Sequence, residues 1–225
     1  MNGIEIEENG PYAVTGVPLV RMRPIRDEDG RPVAWERTAE LATEATYRLC
    51  RCGASAAMPF CDGTEERTSF DGAEVADRRA GSERRFQLGS EPLVLSDDPS
   101  ICSKAGFCTR ATTDVWELAE DDLSDPERLA LLEEMVGNCP SGRLALHARL
   151  DEPPIEHPTA QQIAVTDDGP LWVRGGIQLI GADGFRYEVR NRMTLCRCGR
   201  SNNKPFCDGS HTRVGFTAPP GPQPS

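Results

Sequence analysis

Nine cysteines fall into three groups of three: Cys50, Cys52 and Cys61; Cys102, Cys108 and Cys139; Cys196, Cys198 and Cys207. An odd number excludes a fully paired intramolecular disulfide framework, and such grouping in an intracellular chain reads as metal or iron–sulfur ligation. In an extended backbone Cys196 and Cys198 leave the same face with Cα atoms roughly 6–7 Å apart, a reach at which two thiolates chelate one iron. Cys207 and His211 are four apart, so they share one face of a helical turn and suit a second metal. Asp208, Gly209 and Ser210 between them have turn and N-cap chemistry, which directs the N–H groups of a starting helix at a bound anion such as a two-iron, two-sulfide cluster. Pro205 favours a fixed, extended approach to Cys207. Three thiolates and an imidazole are also acceptable tetrahedral ligands for zinc, so spacing alone leaves both metals open, although the C-x-C start is unusual beside the common C-x2–4-C zinc pairs.

The elements that must carry these residues are repeated. Gly10–Val20 parallels Gly169–Ile180, and the run from Leu49 to Thr64 matches that from Leu195 to Ser210 without a gap. Each copy is a short β-rich stretch followed by a cysteine loop, and two copies suit a pseudo-symmetric pair rather than a solenoid. In the second copy Leu171–Ile180 and Phe185–Arg190 read as strands joined by the turn 181–184. The first copy has a longer, charged connection, Arg26–Pro32, before its cysteines.

Cys196-x-Cys198-x2-Ser201-x3-Pro205-x-Cys207-Asp208-Gly209-Ser210-His211 resembles the CDGSH iron–sulfur domain, the mitoNEET-like group. The resemblance implies a [2Fe-2S] cluster held by three cysteines and one histidine, in a β-cradle made by two copies of the motif, whether in a dimer or in one chain. The first copy matches at Cys50, Cys52, Ser55, Pro59, Cys61, Asp62 and Gly63, but Glu65 stands where the histidine belongs. Glu65 then either replaces imidazole as the fourth ligand, or leaves a labile cluster with an exchangeable ligand, or leaves the site empty. A carboxylate there restores negative charge that imidazole removes and takes away the group that titrates near neutral pH. The N-terminal cluster is therefore expected to have the lower, less pH-dependent potential.

The segment between the copies has a different character. Bacterial ferredoxins use C-x2-C-x2-C with a distant Cys-Pro. Cys102 and Cys108 fit the first and third positions of that run, Ala105 falls at the missing second, and Cys139-Pro140 fits the distant ligand. Three thiolates match a [3Fe-4S] cluster, or a [4Fe-4S] cluster with one iron ligated otherwise. The segment resembles the divergent mono-cluster ferredoxin-like domains that accompany CDGSH motifs, which often have histidine where this chain has Lys104. Three structural cysteines in a small α+β core are the alternative. A strand is expected over Arg85–Leu95 and a helix after Asp125, with Pro126 first, Leu129, Leu132 and Val136 on one face, and Gly137 as the stop. The acidic run Glu117–Asp125 reads as a solvated loop and helix start, with docking of a basic partner as the minor alternative. His147 and His157 read as packed or surface residues, and Trp35, Trp116 and Trp172 as core or cradle aromatics.

The fold class expected is α+β: residues 1–72 and 151–218 as two CDGSH-type units forming a pseudo-twofold β-cradle, 73–150 as an inserted ferredoxin-like domain, and 219–225 as a disordered tail. Net charges of about −5, −6 and 0 on 1–72, 73–150 and 151–225 make up the total of −11, which argues against nucleic acid. No apolar run approaches the roughly 18 residues of a membrane span, and no basic, apolar leader opens the chain, so a cytoplasmic protein is expected. No nucleophile with a base, phosphate loop or paired carboxylate emerges, so the protein is not expected to be an enzyme. The leading expectation is a one-electron carrier with two [2Fe-2S] clusters and one [3Fe-4S] or [4Fe-4S] cluster, a monomer with an internal pseudo-dimer serving a redox partner. The alternatives are a cluster donor to an apo-acceptor or redox sensor, and a zinc-bound interaction module.

Overall fold

Alternation of apolar and polar residues builds short strands, and the computed structural model describes residues 2–89, 93–149 and 151–218. The first copy supplies β1 (Gly3–Ile6), β2 (Tyr12–Thr15), β3 (Leu19–Arg26), β4 (Pro32–Leu41) and β5 (Thr46–Leu49). The middle segment supplies β6 (Phe86–Leu88), β7 (Val94–Asp97), α1 (Val115–Glu120), α2 (Pro126–Gly137) and β8 (Leu144–His147). The second copy supplies β9 (Gln162–Thr166), β10 (Leu171–Arg174), β11 (Gln178–Ile180), β12 (Arg192–Leu195) and α3 (Ser210–Arg213). The result is a mixed, mostly stranded α+β protein.

Each copy lends one strand to the other. The four-stranded sheet runs β11-β1-β2-β5 and the five-stranded sheet β12-β10-β9-β3-β4. β11 lies parallel to β1 with Leu179 opposite Ile4, and β3 lies parallel to β9 with Leu19 opposite Ile163. Ile4 and Ile163 hold matching places in the two copies, as do Leu19 and Leu179, so the two exchanges have the same register. The inward faces make one core: Ile4, Tyr12, Val14 and Leu49 from one sheet meet Ile163, Val165, Val173 and Leu195 from the other. The exchange lets residues of both copies bury in one core, and a larger shared core buries a greater fraction of its surface than two small separate ones would.

The second copy corrects the expected strands. Leu171–Ile180 is not one strand, because Gly175 and Gly176 at φ 83° and 72° turn the chain between β10 and β11 and move it to the other sheet. Phe185–Arg190 makes only an isolated bridge, Arg186 to Ile180, while the turn at Gly181 forms as expected. The charged Arg26–Pro32 connection is a hairpin tip, closed by Asp27 accepting from the Asp29 and Arg31 N–H groups.

In the middle segment β6, β7 and β8 form an antiparallel sheet under the two helices. The strand expected over Arg85–Leu95 is a β6–β7 pair bent at Gly89, φ 74°, and its residues 90–92 lie outside the described residues. α2 starts as expected, with Asp125 accepting from the Glu127 N–H, and Gly137 is its last residue. α1 was not anticipated: Asp114 caps the Trp116 and Glu117 N–H groups, and Val115, Leu118 and Ala119 bury one face. Glu117 and Glu120 are therefore helical, and only the acidic residues from Asp121 on form the loop. Among the described residues no helix is long and apolar enough to cross a membrane. The tail 219–225 lies outside the described residues.

Candidate metal centres

The two cysteine loops repeat bond for bond. After β5 the Cys50 N–H donates to Pro59 O and the Cys61 N–H to Arg48 O; after β12 the Cys196 N–H donates to Pro205 O and the Cys207 N–H to Thr194 O. Ser55 Oγ donates to Phe60 O and Ser201 Oγ to Phe206 O, both at 2.7 Å. Asp62 accepts from the Ala56 and Thr64 N–H groups as Asp208 accepts from those of Asn202 and Ser210. The serine, proline and aspartate of the motif thus shape the loop, and the prolines approach through cis bonds at Met58-Pro59 and Lys204-Pro205. Gly63 and Gly209, at φ 78° and 81°, turn the chain so that each N–H donates to the sulfur of the preceding motif cysteine, at 3.4 Å.

The candidate ligands stand in pairs. Cys50 and Cys52 sulfurs are 3.6 Å apart and those of Cys196 and Cys198 3.9 Å, close to the roughly 3.8 Å separating two thiolates on one tetrahedral metal with bonds of about 2.3 Å. The Cys207 sulfur is 3.3 Å from His211 Nδ1, and the Cys61 sulfur 3.1 and 3.2 Å from the Glu65 oxygens. Glu65 therefore stands toward Cys61 as His211 stands toward Cys207. Among the described residues no three His, Cys, Asp or Glu side chains gather to hold one metal ion. Each loop thus presents one pair of donors at Cys50 and Cys52 or Cys196 and Cys198 and another at Cys61 and Glu65 or Cys207 and His211, an arrangement that could give one pair to each iron of a two-iron cluster.

The environments differ. Cys196, Cys198, Cys207 and His211 are all buried, whereas Cys52, Cys61 and Glu65 are partly exposed. Burial, then the field of Arg197, holds His211 below its ordinary pKa, keeping the imidazole neutral as a metal ligand requires. Burial pushes the Cys52 thiol up to about 11 and Cys61 to about 12, and it raises Cys207 as well.

Sequence reading passed over the arginine inside each C-x-C. Arg51 and Arg197 are only 1% and 2% exposed. Arg51 Nε donates to Gly10 O and Arg197 Nε to Gly169 O, and Phe70 and Phe216 cover the respective guanidinium groups. Their hydrogen bonds go to carbonyls, and Arg197 lies in the field of Cys50 from the other copy, so each is a buried cation, a costly state that an anionic centre nearby would offset. The loops also abut one another. A Cβ on Gly53 would sit 2.5 Å from Cys198 O, and one on Gly199 2.3 Å from Cys52 O. Tyr12 Oη, from the first copy, donates to Cys196 O at 2.9 Å; the matching residue of the second copy is Leu171, which has no such group.

The third triad sits against the second copy. Cys102 follows a 3-10 turn at Pro99–Ile101 capped by Asp98, Cys108 precedes α1, and Cys139 follows α2. Burial, then Cys139 and Cys102, pushes the Cys108 thiol up. Buried Asp97 pairs with Arg143 at 2.5 Å and accepts from Trp116 Nε1, which braces the Cys139 loop on β7. Asn203 donates to Ser100 O, and a Cβ on Gly209 would meet the Lys104 side chain, so the Cys102 loop packs on the Cys207 loop. Arg192 Nη1 donates to Val136 O and Cys139 O at 2.6 and 2.7 Å, tying β12 to the end of α2. From the first copy, Trp35 stacks on Phe107 and donates to Asn138 O. His147 is buried between Ser96 Oγ and Glu152 O, and His157 is exposed, both in line with ordinary structural roles.

Comparison with known families agrees with this layout. The family described as iron-binding zinc finger, CDGSH type, matches residues 9–64 and 168–212, and the divergent 4Fe-4S mono-cluster family matches residues 89–149. No match was found among curated proteins or solved structures. With duplicated loops, paired donors and a third triad on the page, the chain carries two CDGSH-type domains flanking a divergent 4Fe-4S mono-cluster domain.

Proposed function

We propose that this protein is a one-electron carrier rather than an enzyme, with three iron–sulfur sites in a single cytoplasmic chain. Cys196, Cys198, Cys207 and His211 would hold one [2Fe-2S] cluster, Cys50, Cys52, Cys61 and Glu65 a second, and Cys102, Cys108 and Cys139 a [3Fe-4S] or [4Fe-4S] cluster. When bound, such clusters supply reversible one-electron exchange. The residues do the rest: thiols and the neutral His211 ring bind, Arg51 and Arg197 offer buried positive charge, and the packed loops exclude water from the second site. The observation that carries the reading is the split of each motif's donors into two pairs. The reciprocal strand exchange supports a pseudo-twofold cradle closed within one chain, and the separate core of the middle segment supports an inserted domain over 73–150.

Anaerobically isolated protein should be red-brown, contain acid-labile sulfide, and show [2Fe-2S] EPR signals after dithionite. Colourless, sulfide-free protein loaded with zinc would end this reading. One observation favours a second role for the first site. Its partly exposed Cys52, Cys61 and Glu65 make it the site from which a cluster would pass to an apo-acceptor, and transfer from the first site alone would establish that role.

A further inference from the structure

The first copy reaches the middle triad through its long hairpin. β4 is the outer strand of the five-stranded sheet, so one edge of its backbone has no strand beside it. The middle segment takes up that edge at its Pro32 end. Asn138 Nδ2 donates to Val33 O at 3.1 Å, and Arg110 donates to Pro32 O and Val33 O at 3.2 and 3.3 Å. Gly106, at φ 86°, lies so close that a Cβ there would stand 3.3 Å from the Pro32 ring.

Trp35, two residues further along β4, touches both cysteine loops on that side. Its ring stacks on Phe107 with centroids 4.7 Å apart and planes at 28°, and its Nε1 donates to Asn138 O at 3.0 Å. Phe107 is the residue before Cys108, and Asn138 is the residue before Cys139. Cys108 precedes α1 and Cys139 follows α2, so the two loops belong to opposite ends of the helix pair. Asn138 also follows the last residue of α2, where carbonyls have no partner within the helix, and Trp35 supplies the missing donor. A third ring, Trp172 of β10, lies 4.8 Å from Trp35 at 39°, so Phe107, Trp35 and Trp172 join all three segments of the chain.

We propose that Trp35 is a positioning residue for the middle centre. By fixing the residue before Cys108 and the residue before Cys139 on one rigid side chain, it sets how those two thiols stand to one another. Assembly of the middle centre then depends on a side chain of the first copy. The inference rests on reading Cys102, Cys108 and Cys139 as an iron–sulfur site, and Trp35 acts on that site through Phe107 and Asn138.

The test joins EPR and iron analysis of the anaerobically isolated protein to backbone hydrogen exchange, which reads the loops whatever they hold. The reporting N–H groups are those of Val115 and Cys139, which donate to Cys108 O and Val136 O. Trp35→Ala removes the stack and the bond together, so exchange at both should quicken about tenfold or more. Iron should be lost from the middle centre while the [2Fe-2S] signals stay as in the parent. Trp35→Phe keeps a ring against Phe107 and drops only the bond to Asn138 O, so it should retain the middle iron with shifted EPR g values. Should Trp35→Ala fail to fold, the milder Arg110→Met, which removes the bonds to Pro32 O and Val33 O, should quicken the same two N–H groups about threefold. Parental exchange at both groups in a folded Trp35→Ala would overturn the proposal, as would equal iron loss from all three centres or, in the milder variant, unchanged exchange. A parental protein without iron at the middle triad would refute the iron–sulfur reading of that triad, whereas the exchange rates decide on their own whether Trp35 holds the two loops.

Discussion

Replacement of Arg192 by methionine tests how the middle domain is held to the second copy. The Arg192 side chain is 6% exposed and bonds to Val136, Gly137, Cys139 and Leu144 carbonyls while pairing with Glu156 at 2.5 Å. Removing one partner of a buried ion pair costs about 3–5 kcal/mol. Glu156 keeps 16% of its side chain exposed and can hydrate, which places that cost near the low end, about 3 kcal/mol. The shortest carbonyl bonds, to Val136 and Cys139, add about 1 kcal/mol each when their acceptors are left buried. The expected loss is therefore about 5 kcal/mol, a large share of a typical total of about 5–15 kcal/mol. Urea unfolding of the anaerobic holoprotein would read this as a lower midpoint. Because the Cys139 carbonyl is among the acceptors, iron at the middle centre should be lost before iron at the CDGSH-type sites. Arg192→Lys should fall between, since one ammonium cannot reach both the end of α2 and Leu144 O. A loss below about 1 kcal/mol, the scale of an exposed pair, would refute the reasoning, and so would equal iron loss at all three centres.

Glu65→His replaces a carboxylate by a neutral ring beside Cys61. One unit of charge at about 4 Å is worth about 1 kcal/mol in water and about 4 kcal/mol at an effective dielectric of about 20. The half-exposed site lies between these, so film voltammetry should show the first centre rising by about 50–150 mV, and an unchanged couple would count against Glu65 as a ligand. Gly199→Ala places a Cβ against Cys52 O at a backbone φ of 72°. Iron should then be lost from the first site as well as the second, and loss confined to the second would show that the loops are uncoupled. Tyr12→Phe removes the bond to Cys196 O and should cost about 1–2 kcal/mol, with faster cluster release from the second copy although the change lies in the first; release rates at each site, resolved by EPR, check this. Burial holds the apo thiols of Cys52 and Cys61 protonated, near 11 and 12. Raised thiol pKa values mean that ligation must expel protons, so cluster reconstitution should release acid and become more complete as pH rises from neutral. A pH-indicator assay that detects no proton release would contradict those shifts.

The pairing of the candidate donors was legible from residue type and spacing, because side chains in a tight loop are local: C-x-C and Cys-x3-His or Cys-x3-Glu lie within reach of one another whatever surrounds them. The turn at Gly181, the Asp125 cap and the start of α2 were legible for the same reason. The strand boundaries around Gly175 and Gly89 were not, because a glycine inside an apolar run reads as strand until its φ is known.

What the sequence by itself determined is the inventory: three triads, two copies of one loop, and one copy with glutamate in the histidine position. Only the tertiary structure decided which copy owns which strand, which loops touch, and which charges are buried. β3 and β11 cross between sheets, Tyr12 serves the other copy's cysteines, and the Cys102 loop rests on the second copy. These outcomes depend on how the two copies pack into one core, a property of long-range packing that no short stretch of chain carries. The buried Arg51 and Arg197 make the same point. As sequence they are two of many arginines, and only their enclosure, with carbonyls for partners, shows that each copy buries a positive charge at its cysteine loop.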